Sequence, residues 1–217
     1  MMLMHINLMG IELEGGWAGT RSVNPFPSKT KIKHDGSVYF PRLREGDPFL
    51  HYGEVVSEPL TPEQLRAFVA EHCPTHVNDS CGTHIHVSLK SNSLYGCILT
   101  PTFYKEIIQK YREYNDTVIK DLDIHLYTVF ATRLAGSNRY CKKGFKGLSQ
   151  VQMDHKGSDR YHQLNYCHRL RGTVEIRVLP ATNNPRILTD LIDITVNTIE
   201  DWCRREHRAE KVRFRRQ

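Results

Sequence analysis

The chain has 217 residues, 39% hydrophobic and 25% charged. This is the composition of an ordinary folded domain with one sizeable core, and it excludes disordered and collagen-like classes. No apolar run approaches the ~18 residues that a membrane span needs, so a transmembrane protein is excluded and no membrane partner is expected. The net charge of +6 is unevenly placed: residues 204–217 hold seven Lys/Arg and two Glu, which leaves residues 1–203 at +1. We read 1–203 as a single domain and 204–217 as a basic tail. A near-neutral body argues against a dedicated nucleic-acid domain, whose basic patch should lie on the folded surface. The tail can touch phosphates, but a solvated helix end, where cations suit the dipole, is the favoured reading. Residues 1–10 have neither a basic n-region nor an apolar h-region, and the six cysteines contain no CxxC pair. The expectation is a cytoplasmic protein with reduced thiols, no signal peptide and no thiolate zinc cage.

The first predicted element is a strand over residues 5–14, ended by Gly15-Gly16. A proline-containing loop follows at 25–33. Residues 37–40 and 52–57 read as two strands with 44–48 as the turn between them. Thr61 as N-cap, Pro62 at the first helical position and Gln64 as capping-box partner predict a helix whose apolar face is Leu65, Phe68 and Val69. Residues 83–89 alternate as a strand. Thr100-Pro101 opens a second helix, with Phe103/Tyr104, Ile107/Ile108, Tyr111, Asn115, Val118/Ile119 and Leu122 recurring at helical spacing. A third helix covers 124–134, and 136–158 reads as a long loop, a feature that often carries function. Residues 161–167 and 173–179 are strands joined across 169–172. Asn184-Pro185 caps a last helix with the stripe Leu188, Leu191/Ile192, Thr195, Ile199 and Trp202. Clustered strands with helices between them predict an α+β fold: a mostly antiparallel sheet with helices packed on one face.

Three of these strands carry a polar pair at i, i+2: Glu12 and Glu14, His84 and His86, Glu175 and Arg177. Strand periodicity puts each pair on one sheet face and the flanking Ile11, Leu13, Ile85, Val87, Val174 and Ile176 on the other. A single ExE strand is most often a solvated face. Three such pairs together are costly in a sheet unless paired or bound to metal. Glu54, on the 52–57 strand, adds a fourth carboxylate-bearing strand. Carboxylates with one imidazole suit Mg²⁺ or Mn²⁺ better than structural zinc. Arg133, Arg139 and Arg160 lie near or in the long loop and can bind phosphate or a carboxylate bidentately, the alternative being plain surface charge. Asn165 precedes a strand and is either a substrate-binding amide or a satisfied strand asparagine.

The set Gly-Ile-Glu-Leu-Glu (10–14), His-Asp-Gly-Ser (34–37), Gly-Glu-Val-Val-Ser-Glu-Pro-Leu (53–60), Cys-Gly-Thr-His-Ile-His-Val (81–87), Arg-Tyr-Cys (139–141) and Asn165 before Gly-Thr-Val-Glu-Ile-Arg-Val (172–178) resembles the amidoligase family. These are carboxylate–amine ligases of the glutamine synthetase and glutamate–cysteine ligase fold. The resemblance runs from about residue 8 to residue 182. It implies a glutamine-synthetase-like catalytic domain that uses ATP with Mg²⁺ or Mn²⁺ to join a small-molecule or peptide carboxylate to an amine through an acyl phosphate. It implies metal ligation by Glu12, Glu14, Glu54, His84 and Glu175. His86 would steady ligand or nucleotide, and Arg177 would face the transferring phosphate. Arg133 and Arg139 would contact the cofactor, and Glu54, Arg139 and Arg177 would form the catalytic group. Asp35 and Ser37, the family's DGS signature, would order the substrate or site, and Asn165 would bind the substrate's α-groups. Glu58 stands where the family more often has proline and is not counted as a ligand. The chain begins almost at its first catalytic strand, so its own loops or an oligomer would close the site. No GxxxxGK loop is present, so nucleotide use is implied by the resemblance alone. Two other readings remain open: a metal-dependent hydrolase, since HxH with glutamates also suits catalytic zinc, and a non-enzymatic binding or assembly module using the basic tail.

Overall fold

The computed structural model describes residues 5–19, 30–40, 50–145, 161–167 and 172–214. Its eight strands are β1 (Ile6–Ala18), β2 (Ile32–Lys33), β3 (Leu50–Val56), β4 (Gly82–Leu89), β5 (Ser137–Asn138), β6 (Cys141–Phe145), β7 (His162–Tyr166) and β8 (Val174–Pro180). They form one sheet in the order β2-β3-β1-β4-β8-β7-β6-β5. Every pairing is antiparallel except β6 with β7. The α+β expectation with a mostly antiparallel sheet therefore holds. The helices are α1 (Pro62–His72), α2 (Asn92–Ile98), α3 (Pro101–Tyr114), α4 (Lys120–Leu122), α5 (Ile124–Ala135) and α6 (Pro185–Phe214). None of the described residues forms a helix long and apolar enough to cross a membrane.

The apolar faces of the strands and helices meet in one core. Ile11, Leu13, Ile85, Val87, Val174 and Ile176 line the sheet side of it. They pack with Leu65 and Val69 of α1, Phe103 and Ile107 of α3, Phe130 of α5, and Leu188, Leu191, Ile192 and Ile199 of α6, all essentially inaccessible to water. Helix starts form where the capping chemistry placed them. Thr61 and Gln64 exchange hydrogen bonds as a capping box, Thr100 Oγ1 accepts from the Phe103 amide, and Asn184 Oδ1 accepts from the Arg186 amide.

Four expectations need correction. Residues 37–40 are not a strand. Ser37 N–H and Oγ–H both bond Asp35 Oδ1 at 2.7 Å, which makes a side-chain turn, and the neighbour of β3 is instead Ile32–Lys33. The expected turn at 44–48 lies outside the described residues. The stripe of the second helix stays buried through Asn115 and Ile119 and fails only at Leu122, after the π-helical turn Asn115–Ile119. That turn adds a residue to the helical spacing and leaves Leu122 60% exposed. The long loop begins with two strands, β5 and β6; residues 146–160 lie outside the described residues. Finally, Gly15-Gly16 does not end the first strand: β1 runs on to Ala18, paired with β3 through Gly15↔Gly53 and Ala18↔Leu50. The last helix, α6, runs unbroken through residue 204 to Phe214. Arg204 pairs with Asp201 and Arg205 with Glu106, consistent with a helix end whose first charges are engaged by the fold.

Gly53 has φ +148°, and a Cβ there would come within 2.1 Å of the Lys33 carbonyl oxygen. The β2 backbone can approach β3 this closely only at a glycine. Gly53→Ala is expected to unseat β2 and with it the position of Glu54, lowering stability by about 1–3 kcal/mol. An unchanged denaturation midpoint would refute the close-approach argument.

Candidate metal-binding active site

The four central strands β3, β1, β4 and β8 carry the polar residues, and their register brings them together. Glu12 lies opposite His84, Glu14 opposite Glu54, and His86 opposite Glu175. Glu12, Glu14, His84, His86 and Glu175 are all buried. Glu12 is the hub. Its Oε2 is 3.0 Å from His84 Nδ1 and its Oε1 is 3.3 Å from His86 Nε2. Burial works against its charge, but the hydrogen bonds from His84 and His86 outweigh this and hold its carboxyl far below the usual carboxylate range. One ligand atom each from Glu12, His86 and Glu175 lies within 4.8 Å of the other two. That set of two carboxylates and one imidazole fits a divalent cation with open positions.

The residues around this triad are tied to it. Glu175 Oε1 pairs with Arg177 Nη2 at 2.7 Å, and Glu175 Oε2 accepts from Asn165 Nδ2 at 3.2 Å. Arg177 Nη1 is 3.2 Å from His84 Nε2. Burial disfavours the Arg177 charge, yet Glu175, Glu12 and Glu14 more than offset this and push its pKa further up. Glu54 is half-buried. Desolvation first, then the charges of Glu12, Asp35 and Glu14, raise its pKa above the ordinary value. A bound cation would relieve this crowding of carboxylates.

Two cavities open on this sheet face. A polar one of about 520 Å³ is lined by Glu12, Glu14, Glu54, Asp35, Ser37 and His84 together with Arg133, Tyr140, Tyr161 and Arg177. An apolar one of about 380 Å³ is floored by Gly10 and walled by Leu8, Val56, Pro59, His86 and Ser88. Glu12 borders both.

Most of the sequence-expected residues converge: Glu12, Glu14, Glu54, His84, Arg177, Asp35 and Ser37 line the polar cavity, and His86 and Glu175 join the triad. Glu58 is exposed beyond the end of β3. Three more residues are placed differently from one another. Arg133 also lines the polar cavity; it is 2% exposed, and its guanidinium bonds backbone carbonyls. Arg139 is exposed and lies over the Tyr140 ring at 4.6 Å; it does not line the cavity. Asn165 is buried, and its amide donates to Glu175 Oε2. Arg160 lies outside the described residues. His86 joins the triad directly, where the resemblance gave the ligand role to His84. Sequence reasoning missed the aromatic wall: Tyr140 and Tyr161 meet edge to face at 6.0 Å, with the Arg177 guanidinium 5.7 Å from the Tyr161 ring centre. Tyr140 within Arg-Tyr-Cys was the available signal.

Compared with known proteins, the chain matches no family model, no curated protein and no solved structure.

Proposed function

We propose that this protein is an ATP-dependent carboxylate–amine ligase that works through an acyl phosphate with Mg²⁺ or Mn²⁺. The observation that carries the reading is that Glu12, a member of the Glu12–His86–Glu175 triad, borders both a charged cavity and an apolar one. A nucleotide has a polyanionic end and a flat, largely apolar end, and the two cavities together match that polarity. Glu12, His86 and Glu175 would hold the cation, with Glu14, Glu54 and His84 close by. The cation would neutralise phosphate charge.

The chain's own groups supply the rest. Arg177 borders the polar cavity and faces developing phosphoryl charge. Glu54 has a raised pKa beside the cavity, which suits a base that takes a proton from the attacking amine. Tyr140 and Tyr161 wall the cavity against water. Joining a carboxylate to an amine requires a better leaving group than hydroxide, and transfer of the γ-phosphoryl group to the carboxylate provides one. A thioester route through Cys81 has less support. Cys81 is fully buried, burial raises its thiol pKa, and it does not line the cavity.

The deciding experiment screens carboxylates and amines for ADP release with Mg²⁺ or Mn²⁺. A productive pair carrying ¹⁸O in its carboxylate should transfer label to the released phosphate. Label retained wholly in product and water would exclude the acyl phosphate. Metal-dependent turnover that needs no nucleotide would replace the ligase reading with a hydrolase, for which three protein ligands with an open position also suffice.

A further inference from the structure

Arg133 is a fully buried cation in the last turn of α5, with no carboxylate at hydrogen-bond distance among its described contacts. Its donors go to backbone oxygens: Nε to Val178 O at 3.3 Å, Nη2 to Arg177 O at 3.1 Å and, more weakly, Nη1 to Cys81 O at 3.5 Å. These carbonyls lie where the β4–β8 register slips. Thr83 faces Leu179 and Ile85 faces Ile176, so the single residue His84 is matched by both Arg177 and Val178. Such a bulge leaves ladder groups without strand partners, and buried carbonyls left unsatisfied are costly. The planar fork of a guanidinium can satisfy several at once.

The same group fixes a second point. A Cβ on Gly82 would lie 2.5 Å from Arg133 Nη2, so the guanidinium rests directly on the glycine backbone. The Gly82 amide donates to Glu14 Oε2 at 2.6 Å. The Arg133 carbonyl is held in turn by Gln163 Nε2 of β7 at 2.6 Å. One buried side chain thus ties the bulge that carries Arg177 to the strand start that holds Glu14, and it lines the polar cavity together with both of those residues.

We infer that Arg133 is a positioning residue: its guanidinium locks the 177–178 bulge and the Gly82 strand start, and so aims Arg177 and Glu14 into the cavity. The inference rests on the ligase reading only for what Arg177 and Glu14 meet there. The lock itself is a property of the ligand-free protein.

The test uses Arg133→Met, Arg133→Lys and Gly82→Ala in the full chain, beginning with amide hydrogen exchange without ligand. In Arg133→Met, exchange at Gly82 should rise at least about tenfold while amides of the β1–β3 pair change less than about twofold. Arg133→Lys, with one ammonium in place of the fork, should not restore protection. Gly82→Ala should displace the guanidinium and raise exchange at Val178 in the same way, and should add nothing in the Arg133→Met background, where the space is free. Affinity for Mn²⁺–ATP then reads the consequence. Arg133→Met and Arg177→Lys should each weaken it about tenfold, and the double variant should be no more than about twofold worse than either alone, because both remove one arrangement.

Unchanged Gly82 exchange in Arg133→Met, or full protection in Arg133→Lys, would overturn the inference. So would independent, multiplicative losses in the double variant. If Arg133→Met does not fold, the lysine and Gly82→Ala variants carry the same test. If the wild type binds no Mn²⁺–ATP, the ligase reading fails, and the ligand-free exchange result still decides the role of Arg133.

Discussion

Glu12→Gln is expected to weaken Mn²⁺ binding by at least about 100-fold and to bring nucleotide-dependent turnover to background, while the protein still folds. The substitution is isosteric but removes the charge at the point where the site converges. Glu12 is one of the three converging ligand donors and also the carboxylate partner of both His84 and His86. A neutral amide cannot accept from two imidazoles and also act as an anionic ligand. Calorimetry or Mn²⁺ electron paramagnetic resonance on wild type and variant measures the effect directly, and circular dichroism checks the fold. Glu14→Gln makes the sharper comparison. Glu14 lines the cavity and accepts from the Gly82 amide, but it is not in the triad, so Mn²⁺ alone should bind that variant more tightly than it binds Glu12→Gln. Equal Mn²⁺ affinity in wild type and Glu12→Gln would remove Glu12 from the metal site.

Glu200→Ala should be the most destabilising of these substitutions, by about 3 kcal/mol. Glu200 is a fully buried carboxylate on α6. It accepts from the His5 and Ile6 amides at 3.0 and 2.8 Å and pairs with His5 Nδ1 at 2.9 Å. It therefore anchors the first residues of β1, the strand that carries Glu12 and Glu14, to the longest helix. Truncation leaves two backbone donors and an imidazole without that acceptor, and a gap in α6. The expected reading is a lower denaturant midpoint with an unchanged slope. A shift worth less than about 0.5 kcal/mol would mean that the β1 start is held by packing alone.

How much of this was legible in the sequence follows from the range of each interaction. Period-2 alternation in residues 10–14, 83–89 and 173–179 revealed strands with one apolar and one polar face, because side-chain direction in a strand depends only on parity. Capping residues at 61, 100 and 184 marked helix starts, because those hydrogen bonds span two or three residues. The polar pairs could be assigned to one face in the same local way, and their convergence follows from the sheet order, in which β3, β1, β4 and β8 are neighbours.

Other features depended on partners distant in the chain. The β2 strand exists because Gly53 admits its backbone. The short α2 helix has weak local signals and is held by Tyr95, which bonds the Leu89 amide and the Gly172 carbonyl. β6 pairs in parallel with β7, a contact that leaves no alternation in Cys-Lys-Lys-Gly-Phe. Arginines 133 and 139 were indistinguishable as residue types. Tertiary structure buried one beneath a strand bulge and left the other on the surface. Residue type and parity are local properties, and they define the chemistry available on the polar sheet face. Which imidazole joins the triad, and which arginines reach the cavity (133 and 177, not 139), depended on strand register and a one-residue slip between β4 and β8. Register is set by the packing of the whole sheet on its helices, and no short stretch of chain encodes it.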